Sequence, residues 1–169
     1  ANLDGSWLLK KTLSGSVEEP EKVGSELGEF ILANNGKDQQ YRFSPAEVAA
    51  ADWLYSRSEP GQLLVEGSRS YPSQFRNYEN FIYVPLNVEL PEIEPELTGD
   101  PAGMVTRWLS RAPKGGYVII TSSMKAMFDG LGLLPAGGLE RVERALLAAP
   151  QLTVLYSNSD AVVFALRDQ

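Results

Sequence analysis

Two groups of hydrogen-bonding side chains follow two apolar runs in this chain, and their types suit the binding of a sugar or a phosphate. The first group follows the run 63–65 and comprises Ser68, Arg69, Ser70, Tyr71, Arg76, Asn77 and Tyr78. The second group closes and follows the run 117–121 and comprises Thr121, Ser122, Ser123 and Lys125. Hydroxyl-rich ligands need many directional partners, and Arg or Lys can hold an anionic group. These residues are therefore our candidate ligand-binding residues.

The two runs predict neighbouring parallel strands. In that arrangement their carboxyl ends meet at one edge of the sheet, where open α/β sheets bind ligands. A helix that starts near Ser123 would add its amino-terminal dipole to the same edge. We therefore expect the two groups to face each other across one site.

A purely structural role of the first group is an alternative. In that case Tyr71, Phe75 and Tyr78 pack beneath their own loop. The arginines of the loop then lie in solvent or pair with Glu66 and Glu79. Loops rich in polar residues are common and most are not binding sites, so both interpretations stay open from the sequence.

The composition excludes the commonest catalytic and metal-binding side chains. The 169 residues include no His and no Cys, which removes Ser/His/Asp and Cys/His nucleophiles, disulfides and the usual zinc ligands. The carboxylates near the two groups are Glu66, Glu79 and Asp129, and their spacing does not indicate the pair that a glycosidase needs. Asp129 before Gly130 indicates a helix end. We predict no catalytic residue, no metal site and no cofactor in this chain.

The net charge of the chain indicates which classes of partner it can bind. With 15 Lys and Arg against 22 Asp and Glu, the formal charge is −7, which repels phosphate backbones and predicts no nucleic-acid partner. No apolar segment reaches the length of about 18 residues that a membrane span needs. The chain as given is therefore expected to be soluble.

Local signals indicate alternating helices and strands from Ser44 onward. A capping box with Pro45 and Glu47 starts a helix that ends before Pro60. Further helices are predicted after Asp100, with Ser122 or Ser123 as the cap of a short one, and from Gly137. The predicted strands are 62–66, 82–84, 117–121, 152–156 and 161–166, the last two as an antiparallel hairpin at the sheet edge. Residues 87–101 hold acidic side chains and prolines without a basic residue, which predicts an extended surface connection.

This order of elements predicts a three-layer, Rossmann-like α/β domain whose sheet is mostly parallel with a C-terminal antiparallel hairpin. We assign residues 44–169 to that single domain. Residues 1–43 are predicted to form an irregular lead-in that packs on it.

Two long stretches of the chain carry a family resemblance. They read FSPAEVAAADWLYSRSEPGQLLVEGSRSYPSQFRNYENFIYVPL and YVIITSSMKAMFDGLGLLPAGGLERVERALLAAPQLTVLYSNSDAVVFAL. Over roughly residues 40–167, the chain resembles the carboxy-terminal soluble domain of large polytopic actinobacterial membrane proteins described as glycosyltransferase-like. These proteins are related to transferases that use lipid-phosphate sugars.

The resemblance implies a domain held on the extracytoplasmic side of the cell membrane by helices that precede Ala1. In such transferases the catalytic carboxylate belongs to loops of the membrane part, so no catalytic residue is carried over to this chain. We therefore expect a non-catalytic accessory domain that binds a glycan or a lipid-linked sugar. The alternatives are a free-standing α/β enzyme or binding protein for a phosphorylated or nucleotide-linked small molecule, and a structural or protein-interaction domain that uses the edge of strand 161–166.

Overall fold

A computed structural model describes residues 43–67 and 78–167 of the chain. These residues belong to one compact unit, Gln40–Gln169. The helices are α1 (Pro45–Arg57), α2 (Leu86–Gly99), α3 (Pro101–Arg111), α4 (Ser122–Gly130) and α5 (Gly138–Ala148). The strands are β1 (Leu63–Glu66), β2 (Ile82–Pro85), β3 (Gly116–Thr121), β4 (Leu152–Ser157) and β5 (Ala161–Leu166), and a 3-10 turn spans Tyr78–Asn80. Apart from Phe43, the predicted lead-in lies outside the described residues.

The strands form a mixed sheet in the order β2-β1-β3-β5-β4. β1 pairs in parallel with both β2 and β3, whereas β5 is antiparallel to β3 and to β4. Four strands therefore run in one direction and β5 alone runs in the other. The predicted mixed α/β architecture, the mostly parallel sheet and the C-terminal antiparallel hairpin are confirmed. The edge strands of the sheet are β2 and β4, and the strand 161–166 that we expected at an edge lies between β3 and β4.

The register assigns α1 to one face of the sheet. Side chains of paired residues point to the same face, and Glu66 pairs with Ile119, Ile119 with Val163, and Val163 with Tyr156. Trp53 of α1 packs on Tyr156 with the ring centroids 5.1 Å apart. The buried carboxylate of Glu66 and helix α1 are therefore on the same side of the sheet, while helices α2 to α5 pack against one another.

Residues 87–101 are not the extended connection that the prolines and acidic side chains suggested, because they form most of α2. Leu86, Leu90 and Leu97 are all buried, and their spacing puts them on one helical face against the core. Pro91 and Pro95 are exposed on the other side, where the carbonyl groups that lose their N–H partners can bind water. Burial of the leucine face outweighs the helix-breaking tendency of the two prolines.

Asp100 joins α2 to α3 and serves both helices. Its N–H donates to the Glu96 carbonyl at the end of α2, and its Oδ1 accepts from the Gly103 N–H at 2.9 Å. Pro101 follows as the first residue of α3, where its missing N–H has no helical partner to lose. The predicted helix start after Asp100 is confirmed.

We expect Asp100→Ala to lower the free energy of unfolding by about 1 kcal/mol, because the substitution removes the side-chain acceptor at the start of α3. Urea unfolding followed by circular dichroism measures the change in midpoint. Asp100→Asn keeps an acceptor at the same place and should stay within about 0.5 kcal/mol of the parent protein. A loss of equal size in both variants would contradict the capping role.

Candidate functional site

The candidate site lies at the carboxyl ends of β1 and β3. The parallel pairing of the two strands, with Glu66 opposite Ile119, brings both exits to one edge of the sheet, as the sequence predicts. β3 continues for two residues beyond that pair and leads directly into α4. The loop that holds the first group of candidates begins after Gly67, on the β1 side of this edge.

Thr121 and Ser123 form a buried hydroxyl pair at the start of α4. The two Oγ atoms are 3.2 Å apart, and Thr121 Oγ1 also accepts from the Met124 N–H at 3.3 Å. Thr121 is therefore the helix cap, where we expected Ser122 or Ser123. A β-branched residue that ends a strand can also cap the next helix, because the cap needs extended backbone and a side-chain oxygen.

Glu47 of α1 reaches the same point from the other side. Its Oε1 accepts from the Ser123 N–H at 2.7 Å, and its Oε2 accepts from the Ser44 N–H at 2.9 Å. The side chain is only 1% exposed. One carboxylate therefore binds the amino-terminal ends of both α1 and α4, and it takes the place at α4 where we expected the helix dipole to serve a ligand anion.

The sequence showed only half of this role. Ser44 followed by Pro45 and Glu47 predicts the capping box, and the structure confirms it, with Ser44 Oγ accepting from the Glu47 N–H at 3.1 Å. The second contact joins residues that are 76 positions apart. No local spacing rule connects Glu47 to Ser123, so only the tertiary fold could show it.

Ser122 is the exposed member of the second candidate group. Its N–H donates to the Asp160 carbonyl at 2.8 Å, and Asp160 Oδ2 accepts from Ser44 Oγ at 2.6 Å. These bonds hold the turn between β4 and β5 against the starts of α1 and α4. The Ser122 side chain is thus an accessible hydroxyl on a firmly held backbone.

Lys125 contacts α5 and not the carboxyl ends of β1 and β3, where the candidate site lies. Its ammonium group forms an ion pair with Glu143, and both side chains are mostly shielded from solvent. A ligand at the edge would have to compete with this carboxylate for the charge. The structure therefore gathers Thr121, Ser122 and Ser123 at the edge and directs Lys125 to a neighbouring helix.

The first candidate group is mostly outside the described residues, which include neither Ser68, Arg69, Ser70, Tyr71, Arg76 nor Asn77. The start of their loop is well defined, because the buried Gly67 donates its N–H to Met124 Sδ at 3.4 Å and its carbonyl accepts from the Asn87 N–H at 3.0 Å. These contacts tie the loop's starting point to α4 and α2.

The backbone of Tyr78 lies near the amino ends of β1 and β2, at the end of the sheet opposite to the candidate site. The 3-10 turn at Tyr78–Asn80 precedes β2, and the Asn80 carbonyl accepts from the Gly61 N–H just before β1. Because β1 and β2 are parallel, the start of β2 lies beside the amino end of β1, about 10 Å along the strand from its carboxyl end. The structure does not bring the Tyr78 backbone together with Thr121.

The described carboxylates show no arrangement for metal binding. Asp129 Oδ1 accepts from the Gly137 N–H at 2.9 Å, so its role at the end of α4 is structural as predicted. Glu66 is fully buried and Glu79 is exposed. Within residues 43–67 and 78–167, no three His, Cys, Asp or Glu side chains lie together as a metal site would require.

None of the helices in the described ranges combines the length and the apolar character that crossing a membrane requires. In comparisons with protein-family models, with curated proteins and with solved structures, this chain matched none.

Proposed function

We propose that this chain is a non-catalytic, extracytoplasmic domain of a membrane glycosyltransferase-like protein, and that it binds a glycan or a lipid-linked sugar at the carboxyl-end edge of β1 and β3. In this proposal the loop 68–77 supplies the guanidinium, amide and aromatic groups. Ser122 supplies a hydroxyl from the start of α4.

The observation that carries the proposal is the contact between Gly67 and Met124. The polar loop leaves β1 at a buried glycine whose N–H points at the first turn of α4, with 3.4 Å between N and Sδ. The parallel pairing of β1 with β3 produces this contact. A loop rich in donors therefore begins beside an exposed serine, at the sheet edge where α/β folds hold ligands.

The contacts of the buried polar groups support a binding role over a catalytic one. Thr121 and Ser123 share a hydrogen bond with each other, and Glu47 accepts two backbone N–H groups. A nucleophilic hydroxyl needs a base within hydrogen-bond reach. The Thr121 and Ser123 hydroxyls bond to each other, Thr121 Oγ1 also accepts from the Met124 N–H, and the Glu47 carboxylate is engaged by the backbone N–H groups of Ser44 and Ser123. These groups instead make a rigid support for a surface that binds.

The finer description of the fold is part of the same proposal. Helix α1 packs on the face of the sheet that carries Tyr156, and the mutually packed helices α2 to α5 would cover the other face. We propose on this basis a three-layer, Rossmann-like arrangement, in which ligands bind where the loops leave parallel strands.

Amide NMR spectra recorded during titration with cell-wall sugars, polyprenyl-phosphate analogues and nucleotide sugars test the binding role. We expect saturable shifts at Gly67 and from Thr121 to Lys125 with one ligand class. The double variant Arg69→Ala/Arg76→Ala should raise the dissociation constant at least about tenfold, because charge-assisted hydrogen bonds are the strongest ones available to such a ligand.

The matched control is Arg144→Ala, which removes an exposed arginine from α5 and should leave the dissociation constant unchanged. Shifts that stay absent with every compound in the panel would overturn the binding role and favour a structural or protein-interaction domain. Turnover of a nucleotide sugar by the isolated chain would favour the free-standing enzyme.

A further inference from the structure

A second surface of the protein is an apolar groove of about 440 Å³ between β2, α2 and α3. Its apolar lining consists of Leu63, Ile82, Val84, Trp108, Ala112 and Pro113. The volume is within the range of ligand sites in proteins. Ile82 is 48% exposed although it lies in a strand of the sheet, so the groove presents apolar surface to solvent.

The groove has one charge near each end. Arg111 is in the last turn of α3, beside the residues that lead into β3, and Glu89 is in the first turn of α2. β2 runs from its amino end near Arg111 to its carboxyl end near Glu89, and its four residues span about 10 Å. Neither charge has an ion-pair partner among the described residues. The guanidinium is exposed and available to an anion.

We propose that this groove binds a single amphiphile molecule that has one apolar chain and an anionic headgroup. The chain lies along β2 on the apolar lining, and the headgroup binds Arg111. The ring of Trp108, which is half-buried and packed against the core, forms the wall of the groove next to that headgroup. This binding is separate from the proposed sugar site at the carboxyl ends of β1 and β3.

Charge decides between a single amphiphile and an anionic bilayer as the occupant. The formal charge of −7 repels a surface that carries many negative charges, whereas a single anion beside Arg111 meets one local cation. A cationic headgroup would need to lie at Glu89, which is partly buried. The exposed guanidinium thus favours an anion.

Titration with decanoate, decanol and decyltrimethylammonium, each below its micelle concentration, tests the proposal through the NMR shift of the Trp108 indole N–H. We expect saturable binding with decanoate the tightest of the three. Octanoate should bind about 10-fold more weakly than decanoate, because it buries two fewer methylene groups. Arg111→Gln should weaken the binding of decanoate about threefold and leave the affinity for decanol unchanged.

Variants of the lining separate the groove from general surfactant binding. Ala112→Phe fills the groove from the end of α3 and should abolish the shift, and Ile82→Ser should weaken it. Leu147→Ser changes another exposed apolar residue, 54% accessible on α5, and should have no effect. The proposal is overturned if the Leu147→Ser and Ala112→Phe variants bind decanoate with the same affinity. It is also overturned if decyltrimethylammonium binds as tightly as decanoate, or if the protein binds only to vesicles of anionic lipid. Absence of any shift would also overturn it and leave the groove to a protein segment.

Discussion

Glu47→Ala is expected to lower the free energy of unfolding by about 3 kcal/mol, one of the two largest single-residue effects that we predict. The carboxylate accepts from the N–H groups of Ser44 and Ser123 and is 1% exposed. Alanine leaves both donors without this acceptor. Hydrogen bonds to a charged group contribute about 1.5–3 kcal/mol each, and a buried donor without a partner adds a desolvation cost. Urea unfolding at neutral pH measures the change.

Two further variants make this expectation specific. Glu140 is also in the first turn of a helix, α5, but is exposed, so Glu140→Ala should change stability by at most about 0.5 kcal/mol. Glu47→Gln keeps the shape and one acceptor but turns an NH2 group toward a backbone N–H, and should give an intermediate loss. If Glu47→Ala and Glu140→Ala were equally stable, Glu47 would not join the two helices.

The destabilisation caused by Glu47→Ala should extend to the candidate site. Glu47 holds the backbone of Ser123, and the neighbouring Ser122 N–H binds the Asp160 carbonyl. When the carboxylate is removed, α1 and the first turn of α4 lose their direct connection. Hydrogen exchange of the Ser123 amide should therefore accelerate more than exchange at the far end of α4.

Most of the helices and strands were predictable because their signals are local. The capping box at Ser44, the cap at Asp100 and the apolar strands each depend on residues within a few positions of one another. All five predicted strands are present within one residue of their expected ends. The exception is α2, where Pro91 and Pro95 conceal a leucine face that becomes stable only through packing on the rest of the domain.

The position of the two strand exits was predictable, and the contacts made there were less so. That β1 and β3 leave the sheet at one edge follows from their apolar runs and from the α/β order. The acceptor at the start of α4 and the partner of Lys125 come from α1 and α5, which are distant in sequence. Charge partners of this kind depend on how helices pack, and local spacing carries no information about that.

The second large effect is expected for Gly116→Ala, at the amino end of β3. A Cβ atom at this position would lie 2.3 Å from the Leu63 carbonyl oxygen and 2.6 Å from the Leu63 Cβ. The oxygen belongs to the backbone of the paired strand, so no change of rotamer can relieve the contact. β1 and β3 must move apart, and we expect a loss of about 3 kcal/mol, the upper end of what overpacking usually costs.

Gly99→Ala is the matched control for this substitution. Gly99 ends α2, and a Cβ there would meet nothing within 4 Å, so alanine should leave stability unchanged or raise it by about 0.5 kcal/mol. Urea unfolding compares the two variants, and hydrogen exchange of β1 shows whether the strands separate. Because the β1–β3 pair also sets the distance from Gly67 to Met124, Gly116→Ala should weaken the binding of any ligand that bridges the carboxyl ends of the two strands. Equal stability of the two alanine variants would mean that the strands tolerate the wider spacing, and the geometry of the candidate site would then not depend on their close approach.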